Sequence, residues 1–242
     1  MTAQPRTAHQ RLPSPVFAWV VHAYTATGAV LAFAMTIAVI QQRFRLAFLL
    51  MVAATIIDAT DGALARLARV KEATPAFDGS RLDDIVDYLT FVFVPGLLLF
   101  QAGLLPSGWD ALVVALMLLS SAYGFSAADA KTDDHFFTGF PSYWNIAALY
   151  LFAAHLTPVM NAIVLVALSV MVFVRIGYIY PSKTPFLRGL TIALCVIWGV
   201  MVLQMILMLP DVPRVLLLAS LFFPVYYLAL SLVLNRRRAR RL

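Results

Sequence analysis

Between Asp58 and Asp87 the chain reads DATDGALARLARVKEATPAFDGSRLDDIVD, an acidic passage inside a strongly apolar protein. Carboxylates beside apolar membrane segments are costly and point to function. Their spacing narrows the chemistry. At about 100° per residue on a helix, Asp58, Asp61, Gly62 and Ala65 share an arc of roughly 100°, with Arg66 at its edge. Gly79, Asp83 and Asp87 form a second stripe. If the two helices are neighbours, four carboxylates converge. Left alone they repel and take up protons. A hard divalent cation such as Mg²⁺ or Mn²⁺ removes that conflict, and such ions commonly share their shell with substrate phosphates. Gly62 and Ala65 leave room against the helix, and Arg66 carries a permanent charge suited to a phosphate. Asp84 is turned about 60° from Asp87. It reads either as a partner of Arg81 or Arg66, or as a further member of the acidic site.

The pattern D-x-x-D-G-x-x-A-R … G-x-x-x-D-x-x-x-D resembles the signature of the CDP-alcohol phosphotransferases. Asp58, Asp61, Gly62, Ala65, Arg66, Gly79, Asp83 and Asp87 all match it. The gap between the halves, Leu67 to Asp78, has twelve residues. It is longer than in most of that family and is similar to the bacterial phosphatidylcholine synthase branch, as is the later segment FPSYWN.

The resemblance implies an all-α, polytopic membrane enzyme that condenses CDP-diacylglycerol with choline, giving phosphatidylcholine and CMP by metal-dependent phosphoryl transfer. It implies two Mn²⁺ or Mg²⁺ ions per site. Asp58, Asp61 and Asp83 are then metal ligands, and Asp87 is the last ligand or the catalytic base. Asp58, Gly62, Ala65, Arg66 and Gly79 hold the CDP moiety. It also implies a homodimer. A quaternary ammonium offers no N–H donor and is recognised by aromatic faces, so Tyr143 and Trp144 are the expected choline contacts, with Asn145 on the hydroxyl. Tyr24, Tyr123 and Tyr178 are further options. Aromatics at a span end also form interfacial belts. Three readings compete. A different alcohol (inositol phosphate, glycerol phosphate or serine) would call on Arg175, Lys183 and Arg188. A cation-coupled transporter would place its acids near the midplane and break helices there, whereas these gather at one membrane side. A non-catalytic scaffold would tie the acids to Arg66, Arg69 and Arg81.

The elements that must position these residues are membrane helices. Of 242 residues 62% are hydrophobic and 12% charged, about half the charged share of a soluble domain. The net charge of +6 leans on Arg6 and the tail Arg236, Arg237, Arg238, Arg240 and Arg241. That is a topological signal, not a nucleic-acid footprint. The lone Cys195 excludes an internal disulfide and reads as a packed thiol. The first apolar run exceeds a signal-peptide core of roughly 7–15 residues and reads as a retained span.

About eight spans are expected: Val16–Ile40, Phe44–Ala65, Gly79–Gln101, Ala111–Ala128, Phe140–Leu156, Val159–Tyr180, Leu190–Leu209 and Val212–Leu234. An arm (1–15), a transmembrane domain (16–235) and a basic tail (236–242) follow as domains. Leu67–Asp78 and Ala130–Thr138 are expected to be polar loops, with Arg69 and Lys71 in solvent or at lipid headgroups. With both termini cytoplasmic, the motif loop, the Lys131 and Lys183 loops and the tail lie inside, and Arg43, Arg45 and Arg214 outside. This describes a multi-pass membrane protein with its acids facing the cytoplasm, and the family resemblance implies a bacterial inner membrane. His22, inside the first span, reads as a packed, hydrogen-bonded side chain or as a neighbour of the site.

Overall fold

A computed structural model describes residues 14–130, 132, 136–181, 184 and 186–239. Residues 1–13 of the N-terminal arm, with Arg6, and Lys131, Lys183, Arg240 and Arg241 lie outside the described residues, while Ser14 and Pro15, expected in the arm, open α1. The helices are α1 (Pro15–Ile40), α2 (Phe44–Leu67), α3 (Val70–Ala73), α4 (Gly79–Asp87), α5 (Val94–Gln101), α6 (Asp110–Ser126), α7 (Trp144–Ala154), α8 (Pro158–Met171), α9 (Arg188–Met208), α10 (Arg214–Ser220) and α11 (Phe222–Ala239). A π-helical segment, Tyr88–Phe93, joins α4 to α5. Their starts follow local chemistry. Ser14 caps α1 ahead of Pro15, accepting from the Phe17 amide. Thr157 caps α8 ahead of Pro158 in the same way. Asp78 caps α4 by accepting from the Ser80 and Arg81 amides. Each side-chain oxygen satisfies an amide that the helix cannot.

Among the described residues, four stretches are long and apolar enough to cross a membrane: α1, α2, α9 and Arg214–Arg238, the last covering α10 and most of α11. Their outward faces are greasy. On α9, Val196, Val200 and Leu207 are exposed, and on α1 Val30, Phe33 and Ile40 are. Apolar surface on that scale suits lipid, not water. The chain is a helical membrane protein. Its core is built from Met35, Phe48, Leu98, Met117, Trp144, Leu165 and Met205, drawn from seven helices. A polar chain crosses it: Trp198 Nε1 donates to the Tyr150 hydroxyl, which donates to Ser220 Oγ, tying α9, α7 and α10. With hydrocarbon on both sides, each of these polar groups needs its partner inside the protein.

The architecture is all-α as expected, with one small addition: β1 (Phe136–Thr138) pairs antiparallel with β2 (Gly177–Ile179), Phe137 opposite Tyr178. The limits of three segments need correction. The sixth helix ends at Met171 and not at Tyr180, because the chain there turns to feed β2. Gly139 N donates to Ile176 O and Phe140 N to Met171 O. Gly139 sits at φ +78°, where an added Cβ would lie 2.1 Å from Val172 O; only glycine fits so close an approach. The fifth helix begins at Trp144 and not at Phe140, which the same turn holds. Part of the expected loop between Leu67 and Asp78 is the short helix α3. Arg69 pairs with Glu72 across it.

Candidate active site

α1 and α2 are joined by a short turn and pack side by side. The Tyr24 hydroxyl bonds Thr60 Oγ1 at 2.8 Å, and Thr25 Oγ1 donates to Asp61 Oδ2 at 2.8 Å. α4 closes against α1 at Gly28, where a Cβ would stand 2.4 Å from Val86 Cγ1. A second close approach lies at Gly79. An added Cβ there would be 2.7 Å from His22 Cε1. His22 is buried against Trp19 and Phe77. Its Nε2 lies 2.9 Å from Thr74 Oγ1, whose own proton goes to Val70 O, so the imidazole donates. His22 is therefore a packed, hydrogen-bonded residue that shapes the start of α4. Gly79, expected against the CDP moiety, has a packing reason to be glycine.

These contacts set α2 and α4 face to face. One carboxylate oxygen each from Asp58, Asp83 and Asp87 lies within 4.8 Å of the others. They line a cavity of about 10 Å³ with Asp61, Thr25, Gly28, Thr90 and Ile57 among its other walls, room for roughly one ion or water. Asp61 is buried in the same wall and held to the side by Thr25. All four acids expected from the helix spacing line this one cavity, and three of them bring an oxygen each within 4.8 Å of one another, while Asp61 also accepts from Thr25. All-oxygen donors at this separation fit a hard divalent cation. The π-helical turn begins directly after Asp87, with Thr90 Oγ1 donating to Val86 O. Such wide turns are frequent at functional sites.

Of the neighbours expected to hold a nucleotide, Gly62 faces open space: an added Cβ would meet only Arg66 Nη1, at 3.6 Å. Ala65 is half-buried and Arg66 exposed. The other nearby arginines have local partners. Arg81 pairs with Asp78 at 3.1 Å and Arg69 with Glu72. Asp84 lies outside the three-acid group. Asp129 pairs with Arg175 at 3.1 Å.

The expected alcohol contacts divide. Trp144 is wholly buried in the core, its Nε1 donating to Ser121 Oγ and its ring edge-on to Phe140. No face of it is open, because α7 starts with Trp144 already inside the bundle. Asn145 donates to Thr55 Oγ1 on α2 at 3.4 Å, one turn before Asp58, and accepts from the Ile146 amide. Tyr143 is different. Its ring lies 6.1 Å from Tyr227, which stacks on Tyr178 at 6.2 Å. An aromatic cluster is thus built from α7's entry, β2 and α11. Tyr24 and Tyr123 do not join it: Tyr24 bonds Thr60, and Tyr123 packs on Phe173. Sequence reasoning missed Tyr227 and Thr25. Thr25 and Gly28 sit one turn apart on α1, a small polar stripe that could have been noticed; Tyr227 gave no local signal.

No protein-family model matches the chain. Proteins named phosphatidylcholine synthase do. One from Legionella bozemanae is 39% identical over 198 residues, covering 79% of this chain and 91% of its own. One from Legionella pneumophila is 36% identical over 88% of this chain and 87% of its own. One from Rhizobium meliloti is 30% identical over 94% and 95%. The chain belongs to the bacterial phosphatidylcholine synthase family. Matches that run nearly end to end mean that the acid cavity and the aromatic cluster both lie in shared chain, as parts of one phosphatidylcholine synthase scaffold.

Proposed function

We propose that this protein condenses CDP-diacylglycerol with choline, at the cytoplasmic face of a bacterial inner membrane, to give phosphatidylcholine and CMP. The observation that supports it most is the convergence of Asp58, Asp83 and Asp87 on one small cavity, in a chain matched over most of its length by phosphatidylcholine synthases. Asp58, Asp61, Asp83 and Asp87 are the residues that would hold Mn²⁺ or Mg²⁺, one ion within the cavity they line and the second of the pair at its mouth with the substrate's diphosphate. Bound there, such ions supply charge neutralisation and in-line alignment of the diphosphate. The remaining work belongs to the chain. Gly62 and Ala65 admit the cytidine side of the substrate, and Arg66 holds a phosphate oxygen. Asp87 takes the proton of the choline hydroxyl. That oxygen forms its bond to the phosphatidyl phosphorus as the pyrophosphate P–O bond breaks and CMP leaves with the electron pair. Tyr143, Tyr178 and Tyr227 face the quaternary ammonium. Eight spans and a homodimer complete the reading. Of the cations an anionic acceptor would call on, Arg175 is paired with Asp129.

The test is an alcohol panel. Purified protein is given CDP-diacylglycerol and labelled choline, serine, inositol phosphate or glycerol phosphate, with and without divalent metal. Incorporation of choline alone, and only with metal, is the expected result. Failure to incorporate choline contradicts the reading.

A further inference from the structure

A second opening touches the acid cavity. Between α1 and α2 runs a groove of about 430 Å³ lined by Thr27, Val30, Leu31, Ala53, Ile56 and Ile57. Five of these side chains are hydrocarbon. The sixth, Thr27, donates its hydroxyl to Tyr24 O at 2.6 Å and is satisfied within its own helix. Ile57 belongs to both walls: it lines the groove and the cavity of Asp58, Asp61, Asp83 and Asp87. Val30 and Ile56, at 68% and 57% exposure, mark the side open to the bilayer.

Direction matters as much as chemistry. The Tyr24–Thr60 and Thr25–Asp61 contacts fix the register of the two helices. From that level the groove passes Thr27 and Ile57, then Leu31 and Ala53. It leads away from the acids toward the turn at Gln41, over about 6 Å of helix axis. A groove that starts at the phosphate-handling acids, holds no free polar group and opens sideways to lipid has the form of a seat for hydrocarbon. Water would find no partner in it.

We propose that this groove holds the glycerol-proximal part of one acyl chain of the lipid substrate, and so aims the diphosphate at the acids. The inference rests on the reading of CDP-diacylglycerol as substrate. Ala53→Phe fills the groove at its far end. Ile56→Trp crowds its rim. Each removes contact with about two methylenes, so KM for CDP-dioleoylglycerol rises about tenfold. The inhibition constant for CMP, which has no acyl chain, and KM for choline stay within about twofold of the parent. Val200→Phe, on the exposed face of α9, serves as the control and leaves all three constants as they are. An unchanged KM for the lipid in both groove variants overturns the proposal, as does an equal loss of CMP affinity. Should a groove variant not fold, the parent protein decides. CDP-diacylglycerol carrying a photoreactive diazirine near one acyl carbonyl labels Thr27–Leu31 or Ala53–Ile57 if the proposal holds; labelling confined to other helices overturns it. If the parent labels there yet transfers nothing to choline, the groove stands and the function reading falls.

Discussion

Asp83 and Gly79 lie four residues apart on α4 and make opposite demands. Asp83 has the geometry of a ligand, so Asp83→Asn keeps the fold and lowers choline transfer by more than about a hundredfold, the order expected when a transition-state charge loses its support. Initial rates on purified, folded protein check it. Gly79 answers to His22. Gly79→Ala drives a Cβ to 2.7 Å from the imidazole, and overpacking of this kind costs roughly 1–3 kcal/mol. Thermal unfolding in detergent measures that. Adding His22→Ala to Gly79→Ala recovers most of it if the clash is the cause; a nucleotide-binding role alone leaves the double variant no better than the single one. At Gly62 the expectation reverses. Its Cβ direction is open, so Gly62→Leu leaves the melting temperature near the parent's and raises KM for CDP-diacylglycerol about tenfold by occupying the space the substrate needs. A matching fall in melting temperature contradicts that account.

Elements decide which side chains meet. β1 and β2 have three residues each, too short for alternation to register. Phe136–Thr138 closed a charged run, Ala130–Thr138, that read as loop, and Gly177–Ile179 read as the apolar end of a span. Only the partner strand distinguishes them. β2's backbone is completed by α11: Asn235 Oδ1 accepts from Gly177 N, Ser231 Oγ from Ile179 N, and the Tyr227 hydroxyl donates to Ile179 O. These are i, i+4, i+8 positions, one stripe of one helix. It blunts the strand edge and sets Tyr178 against Tyr227 at once. We predict that Ser231→Ala with Asn235→Ala raises KM for choline about tenfold while KM for CDP-diacylglycerol holds within about twofold, since uniform loss of one substrate's contacts moves its own constant. A parallel rise in both constants, measured by varying each substrate, points instead to general loosening of the bundle.

At the scale of the molecule, much was legible because membranes punish ambiguity. Apolar runs must become helices, and span limits fell within a few residues of α1, α2, α6 and α9. The motif was legible because its spacing is a helix-face code that a single segment carries. The aromatic cluster was not. Tyr143 and Tyr227 are 84 positions apart, and nothing local in an apolar helix marks a tyrosine as site or belt. Trp144 shows the cost: its sequence neighbourhood matched Tyr143's, but one step along the helix start turned it into the core. Topology remains open to a direct check. In a Cys195→Ala background, a cysteine at Ser80 reacts with an impermeant thiol reagent from the cytoplasmic side and one at Gln42 from the opposite side. Both reacting from one side contradicts the orientation proposed.

The account depends on α2 and α4 holding a divalent ion between their acids. Manganese binding followed by electron paramagnetic resonance on the purified protein tests it without any turnover. The parent is predicted to bind Mn²⁺, and Asp83→Asn to weaken binding by at least about tenfold. Asp78→Asn, which alters an acid that caps α4 and pairs with Arg81 outside the cavity, is predicted to bind as the parent does. Equal affinity in the parent and Asp83→Asn contradicts the account.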